Sequence, residues 1–407
     1  MIVVVGAGAA GLMATLFAAR QGRNVILIES TQDGGRKILI SGGGRCNVLP
    51  SRHEPERFVT ESSKHSLKNI LRSWPLDAQR AFFEEALAQP LVCELATGKL
   101  FPSTNRARDV RDGLIRAVQN AGASVWPGSK VVDISPPDSP TGRWLIRFED
   151  RDPLAAERVI LATGGLSVPQ TGSDGRGLAI ATTLGHAVNM TYPALTPLLA
   201  GTTAHAHLSG VSLSVTISAT NGKTKFSTTG GFLFTHRGYS GPAILDASHI
   251  YTRAKARRGT PATLFVRWSE RDEESWDVAL RPGRGTVLGQ LSHYVPRRLA
   301  EQLITECGVS HEQNLAELKK TQRRVVAQHL AHYPLKISGD EGYRKAEVTG
   351  GGVALSEVNP RTMESRIRPG LFLCGEMLDA FGPIGGYNFQ WAWATGRAAG
   401  IGAAATP

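Results

Sequence analysis

The chain has 407 residues, of which 41% are hydrophobic, 20% are charged and 45 are glycine, and its formal net charge is +11. This length predicts two or three domains. The sequence has no apolar run of the roughly 18–20 residues that a membrane span needs, and from its first residues we expect no secretory signal. The four cysteines stand far apart, which argues against a disulfide framework, a metal site and a dithiol redox centre. We therefore expect a cytoplasmic protein.

The basic charge comes from scattered arginines, including Arg257-Arg258, Arg297-Arg298 and Arg323-Arg324. Such a surface can attract nucleic acid or anionic substrates. No basic run is dense, however, and none is interleaved with aromatic residues. We interpret the charge as a solvated surface and do not expect nucleic acid to be a partner.

The first thirty residues predict a βαβ unit that binds a dinucleotide. An apolar strand is followed by glycines in G-x-G-x-x-G spacing, an alanine-rich helix and a second strand from Val25 to Ile28. The glycines permit a tight turn and close approach of the backbone to a pyrophosphate, and the helix N-terminus offers free N–H groups. An acid about 20 residues after the first glycine meets a ribose hydroxyl. The candidate contacts are Gly6, Gly8, Ala9, Ala10, Gly11, Glu29 and Ser30.

The stretch GGRKILISGGGRCN, residues 34 to 47, predicts a loop that carries cations. Glycine allows close backbone approach, and cations can meet phosphate or an anionic reduced flavin. A domain that binds only a nucleotide has no need of such a loop directly after its second strand, so the loop favours FAD. The alternative is a mobile surface loop. The candidate contacts are Arg36, Lys37, Gly43, Arg45, Cys46 and Asn47.

The middle of the chain predicts a return to the same ligand. Residues 53–95 are expected to be helical, for example at 77–87, and a further helix is expected at 105–121. A meander of three short strands follows at 123–126, 131–134 and 144–148. The next strand, 158–162, ends in Thr163-Gly164-Gly165, where strand ends meet a ligand in such folds. We add Val131, at the start of the second meander strand, to these three residues as candidate contacts. Asp174, between glycines, is expected to cap the next helix.

From about residue 194 the sequence pattern predicts a β-rich region. Residues 211–218 alternate between apolar and polar, which is typical of a half-buried antiparallel strand. Further strands are expected at 224–226, 231–234 and 262–268, and a proline-initiated helix begins at 242. Residues 283–333 predict a helical unit. We expect an FAD domain of residues 1–192 and 340–407, a β-rich insert of residues 193–282 and a helical subdomain of residues 283–339.

The C-terminal stretch predicts the flavin end of the site. A strand, three glycines and a second strand are expected within residues 346–358, and another strand at 371–374 ends in Gly375-Glu376, where an acid can hold ribityl hydroxyls. A glycine-rich turn at 382–388 leads to a helix at 389–402, whose dipole suits the N1–C2=O edge of a flavin. The candidate contacts are Gly375, Glu376, Gly385, Gly386, Tyr387 and Asn388.

Together these motifs resemble the bacterial FAD-binding flavoproteins of the aminoacetone oxidase-like or 3-dehydro-bile acid reductase-like type. The resemblance rests on GAGAAGLMA, GRKILISGGGRCN, LFTHRGYSGPAILD, AEVTGGGVALSEVNPRTMESR and GLFLCGEMLDAFGPIGGYNFQWAWATG, and it spans nearly the whole chain. It implies an α/β fold: a Rossmann-like FAD domain built from both chain ends, a β-barrel-like insert and a small helical subdomain. It also implies non-covalent FAD, with amine oxidation or enone reduction as activities.

One motif departs from the family. Where its members usually have Thr-His-Phe-Gly-Leu-Ser-Gly-Pro, this chain has THRGYSGP, so Arg237 and Tyr239 replace apolar residues. If this turn borders the substrate, the pocket is more polar. His236 in the same turn is a candidate donor, although a structural role is the simpler interpretation. Cys46 is interpreted as a packed side chain, because a lone cysteine is usually a small hydrophobe.

The sequence favours an FAD-dependent oxidoreductase that passes a hydride between a small donor, an amine or NAD(P)H, and oxygen or an unsaturated acceptor. There is no second strand-linked G-x-G-x-x-G, so NAD(P)H is expected only as a transient reductant. Two alternatives stay open: a flavin-dependent RNA-modifying enzyme and a non-catalytic flavin-loaded redox sensor.

Overall fold

The computed structural model describes residues 1–139, 142–201, 203–221, 224–260, 262–281 and 283–405. The chain divides into two compact units, the first made of Met1–Thr191 and Val348–Pro407 and the second of Tyr192–Glu347. Within the described ranges, no helix has the length and apolar character that crossing a membrane requires. The domain boundaries predicted at residues 282 and 407 lie outside the described residues.

Strands and helices alternate through the first unit, and strands then helices dominate the second. The strands are β1 (Ile2–Val5), β2 (Val25–Ile28), β3 (Leu49–Pro50), β4 (Leu91–Glu94), β5 (Lys99–Pro102), β6 (Ser124–Trp126), β7 (Val131–Ser135), β8 (Trp144–Phe148), β9 (Leu154–Ala156), β10 (Arg158–Leu161), β11 (Val188–Ala194), β12 (Leu198–Ala200), β13 (Ser212–Asn221), β14 (Thr224–Phe234), β15 (Gly238–Ser240), β16 (Leu264–Arg267), β17 (Tyr333–Pro334), β18 (Ile337–Asp340), β19 (Val348–Val353) and β20 (Leu371–Leu373). The helices are α1 (Ala9–Ala19), α2 (Arg36–Ile40), α3 (Lys64–Arg72), α4 (Leu76–Leu87), α5 (Ala107–Asn120), α6 (Arg176–Thr183), α7 (Pro242–Ala256), α8 (Glu273–Ala279), α9 (Val287–Ser292), α10 (Arg297–Glu306), α11 (Lys320–Ala331) and α12 (Tyr387–Ala405).

The first unit is built on a five-stranded parallel sheet with the order β20-β10-β1-β2-β6. Every residue of β1, β2, β10 and β20 is buried, as expected of parallel strands that are covered on both faces. The strand from the C-terminal segment, β20, pairs directly with β10. The predicted Rossmann-like α/β fold built from both ends of the chain is therefore confirmed.

Ligands of such sheets bind at the carboxyl ends of the strands. Here the ends of β1, β10 and β20 are neighbours, because β10 pairs with both of the others. The three segments that leave these ends are the first glycine motif, Thr163-Gly164-Gly165 and Gly375-Glu376. Helices α1 and α12 pack against each other, so that motifs more than 350 residues apart in sequence share one crevice.

Several predicted elements differ in detail from those observed. Residues 53–95, which were expected to be helical, contain α3 and α4 but end in the strand β4, because Leu91–Glu94 pairs with β5. The segment at 123–126 forms β6 at the edge of the parallel sheet, because it follows α5 and pairs with β2; the three-stranded meander is instead β7-β8-β9. Residues 34–47 are not all loop, since Ile38 is buried and anchors the short helix α2. The three glycines at 350–352 lie inside β19, and a short 3-10 turn, Leu355–Glu357, replaces the second strand.

The second unit contains a seven-stranded sheet with the order β17-β16-β13-β14-β15-β12-β18. Neighbouring strands in this order pair antiparallel, and residues 224–234 form one long strand, β14, rather than two. In the described residues the sheet has two edges, β17 and β18, and is not closed into a barrel. One hydrophobic cluster joins the inner face of this sheet to α7 and to helices α9–α11.

Candidate flavin-binding site

The first glycine motif forms a tight turn between β1 and α1. Gly6 has a φ of 101°, and a Cβ there would lie 2.6 Å from the carbonyl oxygen of Ala162. A Cβ on Gly11 would lie 1.8 Å from the carbonyl oxygen of Gly6. A Cβ on Gly8, by contrast, would have no atom within 4 Å. Gly8 is the N-cap residue of α1 and provides no side-chain hydrogen bond to it. The N–H groups of the first turn, at Gly8, Ala9 and Ala10, are thus presented at a helix N-terminus, where an anion binds well.

Glu29 lies beside this turn and is buried. Its Oε2 accepts a hydrogen bond from Ala7 N at 2.9 Å, and its Oε1 accepts from Thr31 N at 2.8 Å and Thr31 Oγ1 at 2.7 Å. Ser30 Oγ donates more weakly to the same Oε1, at 3.3 Å. A carboxylate has about four lone-pair sites. Because Oε1 takes most of these donors, Oε2 retains capacity for a ribose hydroxyl.

In the cationic segment at 34–47, Arg36 and Arg45 pair with carboxylates at the surface, and Lys37 points inward. Arg36 pairs with Asp33 at 2.8 Å. Arg45 pairs with Glu94 at 3.0 Å and lies over the Phe101 ring, 4.1 Å from its centroid. Each of these guanidinium groups already pairs with a carboxylate, so only its remaining N–H groups are available to a phosphate.

Lys37 faces inward and joins the two ends of the chain. Its Nζ donates to Glu376 Oε2 at 2.5 Å and to Ser167 Oγ at 2.6 Å. Glu376 Oε1 accepts from Ser167 Oγ at 2.5 Å, and from the N–H and the hydroxyl of Thr349, each at 2.9 Å. This four-residue network fixes Glu376 beside Gly375, at the end of β20. Neither Ser167 nor Thr349 was identified from the sequence.

Thr163-Gly164-Gly165 follows β10 directly, as predicted. A Cβ on Gly165 would lie 2.3 Å from Thr349 Oγ1, so the glycine is needed for close packing. Thr163 Oγ1 is buried and has no hydrogen-bond partner in the described residues. Val131 begins β7. Near this strand lies an open cleft, which is lined by Val132, Asp133, Asp174, Gly175, Arg176, Ala179, Ile180 and Thr183.

Three further candidates lie in or beside the 3-10 turn at Ser41–Gly44. Gly43 has a φ of 68° and no neighbouring atom around a Cβ position. Cys46 is fully buried with a φ of 61°, and burial raises the pKa of its thiol to about 12. It is therefore a neutral, packed side chain at physiological pH. The backbone nitrogen of Asn47 lies 3.1 Å from the position that a Cβ on Gly42 would occupy.

The turn before α12 is held by its own side chains. Gly386 has a φ of 94°, and a Cβ there would lie 2.4 Å from the backbone of Leu49 in β3. Asn388 clamps the start of the turn, because its Oδ1 accepts from Gly382 N at 2.9 Å and its Nδ2 donates to Gly382 O at 3.0 Å. The carboxamide of Asn388 is thus paired with Gly382, and contact of Asn388 with the cofactor, through its backbone or its side chain, stays a prediction. Gly385 also has a positive φ and lies near Lys99.

Tyr387, the first residue of α12, belongs to a cluster that the sequence did not reveal. Its hydroxyl donates to Glu54 and lies 3.4 Å from the Arg57 guanidinium. Burial opposes ionisation of Glu54, but the hydrogen bonds from Tyr387 and Arg57 outweigh it and lower the pKa of Glu54. Burial and the hydrogen bond to Glu54 raise the pKa of Tyr387, which keeps its proton. His53 lies beside Gln390 of α12, with its Nδ1 3.1 Å from Gln390 Nε2.

Comparison with known proteins identifies the family. Residues 1–402 match the model of the HI0933-like protein Rossmann domain. This chain belongs to that family. It is 32% identical to the ribosomal RNA dihydrouridine synthase of Escherichia coli (strain K12), covering 97% of this chain and 95% of the relative. It is 29% identical to the 3-dehydro-bile acid delta(4,6)-reductase of Clostridium scindens, covering 100% and 99%.

A solved structure shares the fold. The 3-ketosteroid-delta4-(5alpha)-dehydrogenase of Rhodococcus jostii RHA1, in complex with 4-androstene-3,17-dione, aligns with a TM-score of 0.53 at 15% identity, over 100% of this chain and 96% of that one. As a member of the HI0933-like family, the chain is an FAD-dependent oxidoreductase.

The described residues fit FAD. The space beyond Gly8 is open at the N-terminus of α1, Glu29 Oε2 has capacity for a hydroxyl, and the buried Thr163 Oγ1 lacks a partner. Gly8, Ala9 and Ala10 would hold the pyrophosphate, and Glu29 a ribose. Lys37, Glu376 and the turn at 385–387 would hold the ribityl chain and the flavin. These assignments stay predictions for this member of the HI0933-like family.

The two residues that depart from the family motif do not form a polar pocket together. Arg237 is 58% exposed and pairs with Glu341 at 3.2 Å. Tyr239 is fully buried, and its hydroxyl lies 2.9 Å from His205 Nδ1. His236 is exposed. A tyrosine can replace an apolar residue here because its buried hydroxyl is paired with His205. The sequence alone does not show this partner.

Proposed function

We propose that this flavoenzyme reduces the carbon–carbon double bond of a uridine in ribosomal RNA, with NAD(P)H as the electron donor. The observation that carries the proposal is the full-length similarity to the Escherichia coli enzyme, at 32% identity. The overall reaction is balanced: uridine, NAD(P)H and one proton give dihydrouridine and NAD(P)+.

The chemistry suits a flavin site of this kind. Uridine carries its C5=C6 bond in conjugation with the C4 carbonyl, and a delta(4,6)-reductase is named for a similar reduction of an enone. FAD supplies the hydride in such reactions once it has been reduced. A hydride added at C6 leaves negative charge at C5 and O4, so a proton must follow at C5.

The residues of this chain would position the reactants and provide protons. The N-terminus of α1 and Glu29 anchor the adenosine half of the cofactor, and the Lys37–Glu376 pair orients its middle. Tyr387 retains its proton within the cluster of Glu54 and Arg57. We assign Tyr387 as a candidate proton donor at the flavin end.

The charge of the second unit favours RNA over a sterol. Residues 192–347 contain 20 Lys and Arg against 13 Asp and Glu, a net charge of +7 out of the +11 of the whole chain. An excess of this size attracts a polyanion and adds little to the binding of a neutral ring system. The proposal departs from our expectation that nucleic acid is not a partner.

The test is an assay of the purified holoenzyme with NADPH, NADH and an in vitro transcript of ribosomal RNA under anaerobic conditions. We expect dihydrouridine in the nuclease digest, measured by mass spectrometry, and none without the nicotinamide. A parallel reaction offers a 4-ene-3-ketosteroid. If the steroid alone reoxidises the reduced flavin, the substrate is a sterol enone and the RNA proposal is wrong.

A further inference from the structure

The outward face of three neighbouring strands in the second unit has an unusual composition. In β13 and β14, residues alternate strictly: Val215, Ile217 and Phe232 point into the core, and the residues between them point outward. The register aligns the outward residues of β14, β13 and β16 in rows across the sheet. We call these outward residues the hydroxyl face; its described members are Ser212, Ser214, Thr216, Ser218, Thr220, Lys225, Ser227, Thr229, Gly231, Leu233, Phe265 and Arg267.

Hydroxyl groups dominate this face, and they are accessible. Thr216 and Thr229 lie opposite each other, with their Oγ1 atoms 2.9 Å apart. Ser218 pairs in register with Ser227 on β14 and with Phe265 on β16. Ser227 and Thr229 are exposed. Serine and threonine hydroxyls are common donors to phosphate and sugar oxygens in nucleic-acid interfaces.

The charge of the hydroxyl face is positive. The sequences of β13, β14 and β16 contain no Asp or Glu. Lys225 is exposed, and Arg267 reaches across to Thr216 Oγ1 at 3.5 Å. The Nε of Arg267 is buried and has no hydrogen-bond partner in the described residues. Asp272 interacts electrostatically with Arg267, and its carboxylate accepts a hydrogen bond from Ser275 N.

A stacked pair of aromatic rings borders the hydroxyl face on the side of β16. The rings of Phe265 and His332 are stacked, with centroids 3.9 Å apart and planes 9° from parallel. His332 is exposed, and Phe265 is partly exposed. A stacked aromatic pair at a sheet surface offers a π face to an unpaired base, which cationic and hydroxyl groups beside it can hold by the backbone.

We propose that the hydroxyl face binds a single-stranded segment of the RNA substrate. The inference rests on the proposed function, since it supplies the docking surface for that substrate. Charge complementarity favours RNA: the face has cations, hydroxyls and a stacked ring pair, and no carboxylate on its strands. A protein partner would need apolar area, yet the outward apolar residues are Leu233 and Phe265 alone among those described.

The test measures binding of a fluorescein-labelled single-stranded oligouridine to the holoenzyme by anisotropy, over a range of salt concentrations. Lys225→Glu should weaken binding by about tenfold at low salt and reduce the slope of log affinity against log salt by about one. Ser227→Glu should weaken binding through charge repulsion on the same face. Lys345→Glu makes the same charge change after β18, at the far edge of the sheet, and should bind within about twofold of the wild type.

The controls separate the two proposals. Each variant should keep the wild-type flavin spectrum and the wild-type rate of NADPH oxidation with oxygen. If Lys225→Glu and Ser227→Glu bind like the wild type while the wild type modifies RNA, the hydroxyl face is not the interface and the proposed function stands. If the wild type neither binds the oligouridine nor modifies RNA, both proposals are wrong. Capture of a protein instead of RNA would also overturn this inference.

Discussion

The glycines of the first motif have separate physical tasks, and the structure distinguishes them. A Cβ on Gly6 or Gly11 meets backbone atoms of the protein, whereas one on Gly8 meets no atom within 4 Å. Gly8 also has an ordinary φ of −75°, which any residue can adopt. Space that the protein leaves open beside free N–H groups is best explained by the ligand.

Gly8→Val should therefore fold normally and lose FAD. The valine side chain would occupy the pyrophosphate position without a clash inside the protein. We expect a circular dichroism spectrum and a thermal midpoint close to those of the wild type, and a colourless purified protein. Gly11→Ala is the contrasting variant, because its Cβ collides with the Gly6 carbonyl, and it should be insoluble or unstable. A yellow Gly8→Val protein would show that the assignment of the pyrophosphate site is mistaken.

Sequence patterns predict which residues line a crevice better than which way their side chains point. The spacing of glycines and of Glu29 places them correctly at strand ends, because local geometry decides that position. It could not show that Asn388 clamps Gly382, or that Arg36 and Arg45 each face a carboxylate, since those partners lie on other segments. Tyr239 illustrates the same limit: its partner, His205, is 34 residues away.

At the scale of elements, a buried polar network ties the second unit together. His205 lies in the 3-10 turn at Thr203–Leu208, and its Nε2 is 2.9 Å from Glu306 Oε1 at the end of α10. Tyr333 of β17 donates to Glu306 Oε2 at 2.8 Å, and Gln302 donates to Oε1 at 2.7 Å. Tyr239 of β15 closes the network on the other side of the imidazole. Breaking such a network on one side leaves buried polar groups without partners, which is costly.

The network should make stability depend on pH through Glu306. Burial opposes its ionisation, but hydrogen bonds from His205, Gln302 and Tyr333 outweigh that effect and lower its pKa to about 2. Because the pKa in the folded protein is below the unfolded value, the ionised carboxylate stabilises the fold above pH 4.5, and this stabilisation is lost as the pH falls towards 2.

Glu306→Gln should lower the free energy of unfolding by about 2–3 kcal/mol at pH 7, and the difference from the wild type should shrink below pH 4.5. Denaturant unfolding of the holoenzyme across this pH range measures it. Glu301→Gln, on the same helix, removes a more exposed ion pair with Arg297 and should change stability by less than about 1 kcal/mol. Equal effects of the two substitutions at every pH would contradict this account.

Some predicted elements were misplaced because their partners in the fold could not be predicted from the sequence. Apolar periodicity indicates that a segment is a strand, but the partner of a short strand is decided by tertiary context. Ser124–Trp126 could equally have begun the meander, and it joins β2 because α5 delivers it to the edge of the parallel sheet. The division of the insert into β-rich and helical parts is visible in the sequence, whereas their common hydrophobic cluster is not.

At the scale of the whole molecule, the fold brings the N-terminal and C-terminal segments into one cofactor crevice. Lys37 and Glu376 are 339 positions apart, yet they form a partly buried ion pair, with side chains 24% and 18% exposed. Sequence reasoning placed both residues at the same ligand because each follows a strand of one predicted sheet. It did not predict that they contact each other directly.

Lys37→Met should weaken FAD binding by about tenfold, the equivalent of about 1.4 kcal/mol, because Glu376 loses its cation and its orientation. The dissociation constant is measured by titrating the apoprotein with FAD and following flavin fluorescence. Lys130→Met is the matched control, since Lys130 pairs with Glu149 at the surface, where such pairs contribute little. An unchanged affinity in Lys37→Met, with Lys130→Met as reference, would show that the pair is structural only.

The discontinuity of the first unit has a consequence during protein synthesis. Its sheet lacks an edge strand until β20 has been made, and the crevice lacks one wall until α12 has been made, whereas residues 192–347 are complete well before. On the ribosome, the second unit can fold before β20, the strand that pairs with β10 of the segment Met1–Thr191, has been made. Capture of the flavin must therefore follow the synthesis of β20 and α12, and nascent chains halted before residue 371 should carry no FAD.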